Sequence, residues 1–417
     1  LNAVVDMAVD HLFYLFEFGT SFRNLAFNGV FVTRSFYAES LKIILLQRVL
    51  PVYRESLFEK LRDLWQVRGD TFELWVSGAE AGFARRGTEG QLGWAVKLPV
   101  VTLPGTKGKL EWQQIRWGDV LAADVMVIPD NLRVLSTLAI LLLRRLLRKP
   151  VLVWGHGVNF QPDSFGERMA GLRACLLRLA DRHLVYTDAC LPPMLGRGFP
   201  PEGIVVVGNA IDSSEAHDLT ADHPEVLVFR RQHALGEDPC VVFLGSWYRR
   251  KRPERILEIG EALRLRIPNA RVVVIGGGDG LDALNQADKP WLTVLGPLTG
   301  RNKFVALAAG RCLAITGVAG LNVLDAMAAG LPVVAPLRQD HSPEIAYIRD
   351  GVNGWVVEDL CEAIAGGCAR LMEDPALQAN MSRRALETVA QLTVDSMARR
   401  FFEAITSTGK AEVRHGL

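Results

Sequence analysis

From residue 41 onward, short apolar runs alternate with longer amphipathic stretches. Residues 41–46, 72–76, 125–128, 151–154, 183–186 and 204–207 have the length and apolar density of strands. Residues 54–65, 134–147 and 167–181 between them read as helices. Residues 213–238 are polar and read as a connection. The alternation then restarts, with strands at 240–244, 271–275, 292–295, 312–316, 333–336 and 355–357 and helices at 253–266 and 302–307. Such βα alternation predicts parallel sheets covered on both faces. The expected fold class is therefore α/β: two doubly wound, Rossmann-like domains facing each other across a cleft at the C-terminal strand ends. Their predicted bounds are 41–212 and 213–395, with a C-terminal helix and tail over 396–417. Residues 1–40, aromatic at Phe13, Tyr14, Phe16 and Phe18 but without strand or turn grammar, read as an appended extension.

Composition narrows the class. Of 417 residues, 49% are hydrophobic and 22% charged, which is globular rather than disordered usage. A net charge of +1 implies no global pull towards nucleic acid. Six cysteines include no Cys-x-x-Cys pair and most lie inside apolar segments, which argues for reduced, buried thiols in a cytoplasmic protein and against a disulfide framework or zinc site. No apolar run approaches the ~18 residues that span a bilayer.

Residues 317–335, Gly-Val-Ala-Gly-Leu-Asn-Val-Leu-Asp-Ala-Met-Ala-Ala-Gly-Leu-Pro-Val-Val-Ala, carry the strongest chemical signal. Small residues from Gly317 to Gly320 let a loop approach a ligand with its backbone, and Leu321 and Asn322 open a short helix whose N–H groups suit a phosphate. Asp325, one turn further in, is placed to accept hydrogen bonds from sugar hydroxyls. Upstream, Gly245-Ser246-Trp247-Tyr248 leads into Arg249-Arg250-Lys251-Arg252, four successive cations where a strand enters a helix. Arg250 and Lys251 there can neutralise a diphosphate, although such runs are commonly solvated. Leu295-Gly296-Pro297 can present backbone groups to a base, with Gly296 as the contact. His156 lies between two glycines directly after a buried strand and can reach the cleft floor, whereas His183 reads as structural.

In this order and spacing the segments resemble the donor domain of GT-B glycosyltransferases of the retaining family 4 (group 1) type, related to enzymes of polysaccharide biosynthesis. The resemblance is specific over 241–357, through "K-R-P-E", "G-L-N-V-L-D-A-M-A-A-G-L-P-V-V" and "P-E-I…D-G-V-N-G", and looser over 42–212. There Pro51-Val52-Tyr53-Arg54, Asp130-Asn131-Leu132-Arg133, Trp154-Gly155-His156-Gly157 and Gly208-Asn209-Ala210-Ile211-Asp212 look like acceptor-domain loops and the hinge. The resemblance implies a nucleoside-diphosphate sugar as donor, bound by Asp325, Gly317, Gly320, Leu321, Asn322, Gly245, Ser246 and Gly296. It implies that Tyr53, Arg54, Asn131 and Arg133 face a saccharide or lipid-linked acceptor, and that His156 meets the sugar near its reacting carbon. Two departures stand out. The first of the family's paired acids is Gly317 here, and an arginine after the strand glycine is Ser246, with Arg250 as the neighbouring guanidinium.

The reaction so implied is hexosyl transfer with retention. Lys251, Arg250 and the backbone N–H groups of 317–320 would carry the leaving charge without metal or other cofactor, because the chain has no Asp-x-Asp pair. The empty position at Gly317 is expected to leave room for a deoxy- or acetamido-sugar. Two rival readings remain: a non-catalytic scaffold that binds nucleotide sugar, and a sugar-nucleotide epimerase, which would want more cleft carboxylates and histidines. Residues 135–149, apolar with Arg144, Arg145, Arg148 and Lys149 at the end, fit either a helix resting on the inner face of a membrane or a buried helix with a solvated basic end.

Overall fold

The computed structural model describes residues 40–78, 89–106, 110–158 and 164–412. The predicted extension 1–40 therefore lies outside the described residues apart from Ser40.

Two parallel sheets dominate. The first has seven strands in the order β3-β2-β1-β6-β7-β8-β9. These are β1 Lys42–Leu46, β2 Thr71–Val76, β3 Val96–Lys97, β6 Val125–Pro129, β7 Val151–Gly155, β8 Arg182–Val185 and β9 Ile204–Val206. The second has six, in the order β12-β11-β10-β13-β14-β15. They are β10 Cys240–Leu244, β11 Arg271–Ile275, β12 Leu292–Leu295, β13 Cys312–Ala314, β14 Val333–Pro336 and β15 Gly354–Val357. The central strands are buried end to end because helices cover both faces, which is why they read as continuous apolar runs. In each sheet the chain winds outward one way and then the other. The strand order reverses between β1 and β6 in the first sheet and between β10 and β13 in the second, and loops at such a reversal splay apart to leave a crevice.

Three features depart from the sequence reading. The connection 213–238 contains a helix, Pro224–Gln232. Proline at its first position and the His223 ring, which accepts from the Glu225 N–H at 3.3 Å, start it. Val226 and Phe229 then bury in the second sheet's core, apolar positions too few to outweigh the surrounding charge in a sequence window. Second, an antiparallel pair, β4 Val100–Thr102 and β5 Glu111–Gln113, is too short to show a period. Third, Cys175 is exposed, while the other cysteines are buried free thiols.

The C-terminal helix Val394–Glu412 packs against the helix Glu55–Arg68 of the first sheet rather than trailing from the second. Met397, Ala398, Phe401, Ala404 and Ile405 enter the first sheet's core. Phe401 meets Trp154 edge-on at 4.9 Å and Phe402 meets Trp65 at 4.4 Å.

His183 on β8 is buried edge-on against Phe199, 4.8 Å between ring centres, and neither ring nitrogen has a hydrogen-bond partner among the described residues. Burial pulls its pKa down to about 4. An unfolded histidine binds its proton near pH 6.5, so folding must expel that proton. The stability it supports is complete above pH 6.5 and is lost as pH falls towards 4. This group should cost the wild type about 2 kcal/mol between pH 7 and pH 5. Urea unfolding at the two pH values should show His183→Leu losing less by that amount; equal losses would contradict the assignment.

Candidate functional site

The second sheet's reversal places the loop after β10 beside the loop after β13, and the two are stitched together. Val318 N–H donates to Arg250 O at 3.2 Å, Lys251 Nζ to Val318 O at 2.7 Å, and Thr316 Oγ1 to Lys251 O. Arg255 Nη1 donates to Thr316 O at 2.9 Å from the following helix, Arg255–Arg266. Gly317 is what permits this approach. A Cβ there would lie 2.2 Å from Arg250 O and 2.9 Å from Lys251 C, backbone atoms that cannot swing aside. This corrects the expectation of a roomy donor subsite: the place a side chain would occupy is filled by the main chain of 250–251.

The expected backbone anion donors are corrected as well. Val318 N–H is committed to Arg250 O, Ala319 N–H to His341 Nδ1 at 2.8 Å, and Gly320 N–H to Asn322 Oδ1 at 3.0 Å. Asn322 in turn donates to Leu244 O at 3.0 Å, tying the short helix Asn322–Ala328 to the end of β10. His341, which sequence reasoning passed over, is buried with Nε2 2.7 Å from Pro336 O, so Nε2 carries the proton and Nδ1 accepts. Burial lowers its pKa further, keeping it neutral and structural. No local pattern marks His341; it becomes visible when β14 is laid beside β13.

Positive charge is therefore carried by side chains. One of the three donors of Lys251 goes to Val318 O, and burial pulls its ammonium pKa down to about 8 against the opposing pull of Glu344. Arg250 pairs with Asp340 at 3.1 Å. Arg338 pairs with Asp340 at 2.8 Å and with Asp359 at 2.5 Å, and Arg252 and Arg255 also reach Asp359. Hydrogen bonds from Arg338 and then Arg250 hold the Asp340 carboxyl at about 2. Arg250, Arg252, Arg255 and Arg338 thus share Asp340 and Asp359 beside Lys251, with Glu254 3.9 Å from Arg252, and the cations outnumber these acids. Ser246 and Gly245 lie at the end of β10, where buried Trp247 pins the loop through its N–H to Gly277 O at 2.8 Å. Asp325 is engaged by Lys303 at 2.6 Å from the neighbouring helix Gly300–Ala308, and Lys303 is a second residue missed from sequence.

Gly296 is exposed at the end of β12. Beside it, a cavity of about 660 Å³ is lined by Phe229, His233, Gly296, Pro297, Leu298 and Asn302, among others.

The first sheet contributes its own loops. At its reversal, Tyr53 follows β1 and is exposed, while Asn131 and Arg133 follow β6 and share a turn, Asn131 Oδ1 accepting the Arg133 N–H at 3.2 Å. Arg54 is placed differently from an acceptor-facing residue. It is buried, with its guanidinium over Trp154 at 5.1 Å and Tyr186 at 5.5 Å, and donates to Asn209 Oδ1 at 2.6 Å. Asn209 then donates to Glu344 Oε1 at 2.5 Å, and its N–H donates to the Tyr347 hydroxyl at 3.2 Å. That hydroxyl donates to Tyr186 O at 3.2 Å. A polar chain therefore runs from the first sheet through Asn209 to Glu344, the carboxylate that faces Lys251.

His156 joins the same junction, its ring edge-on to Tyr186 at 4.9 Å. Its backbone is fixed by Asp130, whose Oδ2 accepts from His156 N–H at 2.9 Å and Gly157 N–H at 3.1 Å and is paired with Arg173 at 3.0 Å. Gly155 makes room for this: a Cβ there would sit 2.2 Å from the Asp130 carboxyl carbon.

The chain is similar to known proteins in part of its sequence and in its fold. Residues 238–374 match the model of the family "Glycosyl transferases group 1". A GDP-mannose-dependent alpha-(1-6)-phosphatidylinositol monomannoside mannosyltransferase of Mycolicibacterium smegmatis is 30% identical over 169 residues, 36% of this chain and 43% of that protein. The match thus spans less than half of that relative. Among solved structures, Anabaena HepE in complex with UDP and glucose has a TM-score of 0.63 at 16% identity, covering 88% of this chain and all of that one. Sucrose-phosphate synthase from Thermosynechococcus elongatus has a TM-score of 0.64 at 16% identity, covering 89% of this chain and all of that one. The fold is the two-sheet GT-B architecture, and residues 238–374 are similar to group 1 glycosyltransferases.

Gly317→Ala tests the stitched loops. The added methyl must push main chain apart, costing about 1–3 kcal/mol. Thermal unfolding should show that loss; an unchanged variant would mean the loops do not meet as described.

Proposed function

We propose that this protein is a retaining glycosyltransferase that moves a hexose or deoxyhexose from a nucleoside diphosphate to a saccharide or lipid-linked saccharide, in the building of a surface polysaccharide at the cytoplasmic face of a membrane. The observation that carries the reading is Lys251. A half-buried ammonium is stitched into the reversal point of a group 1 type domain, inside a surplus of arginines. A diphosphate leaving group is what such a charge would serve, because catalysis of this transfer rests on stabilising the charge that develops as the bond to the sugar breaks. The relative named for GDP-mannose and the neighbour holding UDP and glucose support the same donor class.

In this reading Lys251 and Arg250 hold the diphosphate without a metal. Asp325, positioned by Lys303, accepts the ribose hydroxyls, and the backbone at Gly296 meets the base. His156, oriented through Asp130 and Tyr186, lies against the sugar. Tyr53, Asn131 and Arg133 line the acceptor side. No carboxylate is assigned as nucleophile, so the acceptor hydroxyl attacks from the leaving-group face and passes its proton to the departing phosphate. Motion about Asn209 closes the two sheets' loops over the sugar and excludes water.

Incubation with a panel of nucleotide sugars and saccharide acceptors should release nucleoside diphosphate, undiminished by EDTA. Conversion of the donor to its epimer would favour the epimerase, and a thermal shift without turnover would favour the scaffold. Lys251→Ala should lower transfer about 100-fold. Lys251 is protonated below its pKa of about 8 and neutral above it, so kcat/KM should fall as pH rises through 8. Lys251→Arg should carry activity to higher pH; a profile identical to the wild type would remove Lys251 from the charge-stabilising role.

A further inference from the structure

Of the four cations expected at the end of the helix over 135–149, one is not at the surface. Arg144 is fully buried and donates to the backbone carbonyls of Val120, Ala123, Asp124 and Pro150 at 2.8–3.1 Å. This clamps the end of the helix Leu135–Leu146 onto the end of the helix Trp117–Ala122. Lys149 adds a second tie to Leu121 O. The outward face of each of the two helices is apolar. Leu142 and Leu146, one turn apart, are 46% and 81% exposed; Trp117 and Leu121, also one turn apart, are 36% and 47% exposed. Leu147 continues the patch, and Trp112 meets Trp117 at 6.3 Å from β5.

The rim is basic. Arg116, Arg145 and Arg148 are exposed, and Lys149 is half-buried beside them. The nearest acids are turned to Lys42 instead: Asp119 accepts from its ammonium at 2.7 Å and Asp124 from its backbone N–H at 2.7 Å. A whole-chain charge of +1 conceals this local imbalance.

We propose that this two-helix face, Trp117, Leu121, Leu142 and Leu146 ringed by Arg116, Arg145, Arg148 and Lys149, docks on an anionic lipid bilayer, the leucines and tryptophan entering the headgroup layer and the cations meeting lipid phosphates. Exposed leucines rimmed by cations are the two components that interfacial attachment sums, apolar burial and attraction to anionic lipid. The Arg144 hydrogen bonds tie the ends of the two helices that carry them. Any bearing on a lipid-linked acceptor rests on the transferase reading, whereas the docking itself is measured on the resting protein without donor.

The test is co-sedimentation of the full chain with vesicles of phosphatidylcholine alone or mixed with phosphatidylglycerol, at low and high salt. The expected result is at least ~10-fold stronger partition onto the anionic vesicles, weakened by salt. Leu142→Ser with Leu146→Ser, and separately Arg145→Glu with Arg148→Glu, should each cut binding at least ~10-fold with the thermal transition unchanged. Leu265→Ser, an 88% exposed leucine on the second sheet's helix Arg255–Arg266, should bind as the wild type does. Equal partition onto neutral and anionic vesicles, or leucine variants that bind undiminished, would overturn the proposal. So would a dimer in sedimentation velocity that the Leu142/Leu146 variant dissociates, since the patch would then join two copies of the chain. Failure of sugar transfer would leave these outcomes untouched.

Discussion

Two stretches of main chain, 249–251 and 316–320, lie closer together than any side chain at position 317 allows, and the second sheet's half of the molecule is organised by that approach. Because the segments follow neighbouring strands at the reversal of the sheet, their contact fixes where the Lys251 ammonium sits. It also consumes the loop's own N–H groups at 318–320, so the positive charge there is carried by side chains. A substitution that looks like the loss of a binding acid is, physically, a change in which atoms of the fold occupy one small volume.

The cations gathered there would repel one another if left alone. Asp340 and Asp359, each shared between arginines, hold them in place while leaving the balance positive. Shared pairing of this kind orients more than it stabilises, since partly exposed ion pairs contribute little individually. Glu344 is the exception in position: buried, bonded to Asn209 and so to Arg54, it connects the ammonium's surroundings to the first sheet. One carboxylate thus touches the first sheet's polar chain and also acts on the Lys251 charge.

Much of this was legible in the sequence. Buried parallel strands are continuous apolar runs, and loops at the strand ends carry glycine and charge, so the alternation and the 245–251 and 317–330 segments were readable before any coordinates. What escaped reading depends on contacts between distant segments. Gly317 has the same letter whether space beyond it is empty or filled. Arg54 looks like a surface cation until Trp154, Tyr186 and Asn209 close around it. Arg144 sits among three other basic residues and is indistinguishable from them except by the carbonyls it reaches. His341 and Lys303 act on residues brought near by sheet order, which no local spacing encodes.

The C-terminal helix carries a consequence for how the chain is made. Met397, Phe401 and Ile405 complete a core whose strands and helices lie before residue 210. During synthesis the first sheet emerges early, and the contacts of Phe402 with Trp65 and of Phe401 with Trp154 can form only after the second sheet has been translated. The second sheet's strands are contiguous in the chain, so the last helix closes the first core across them.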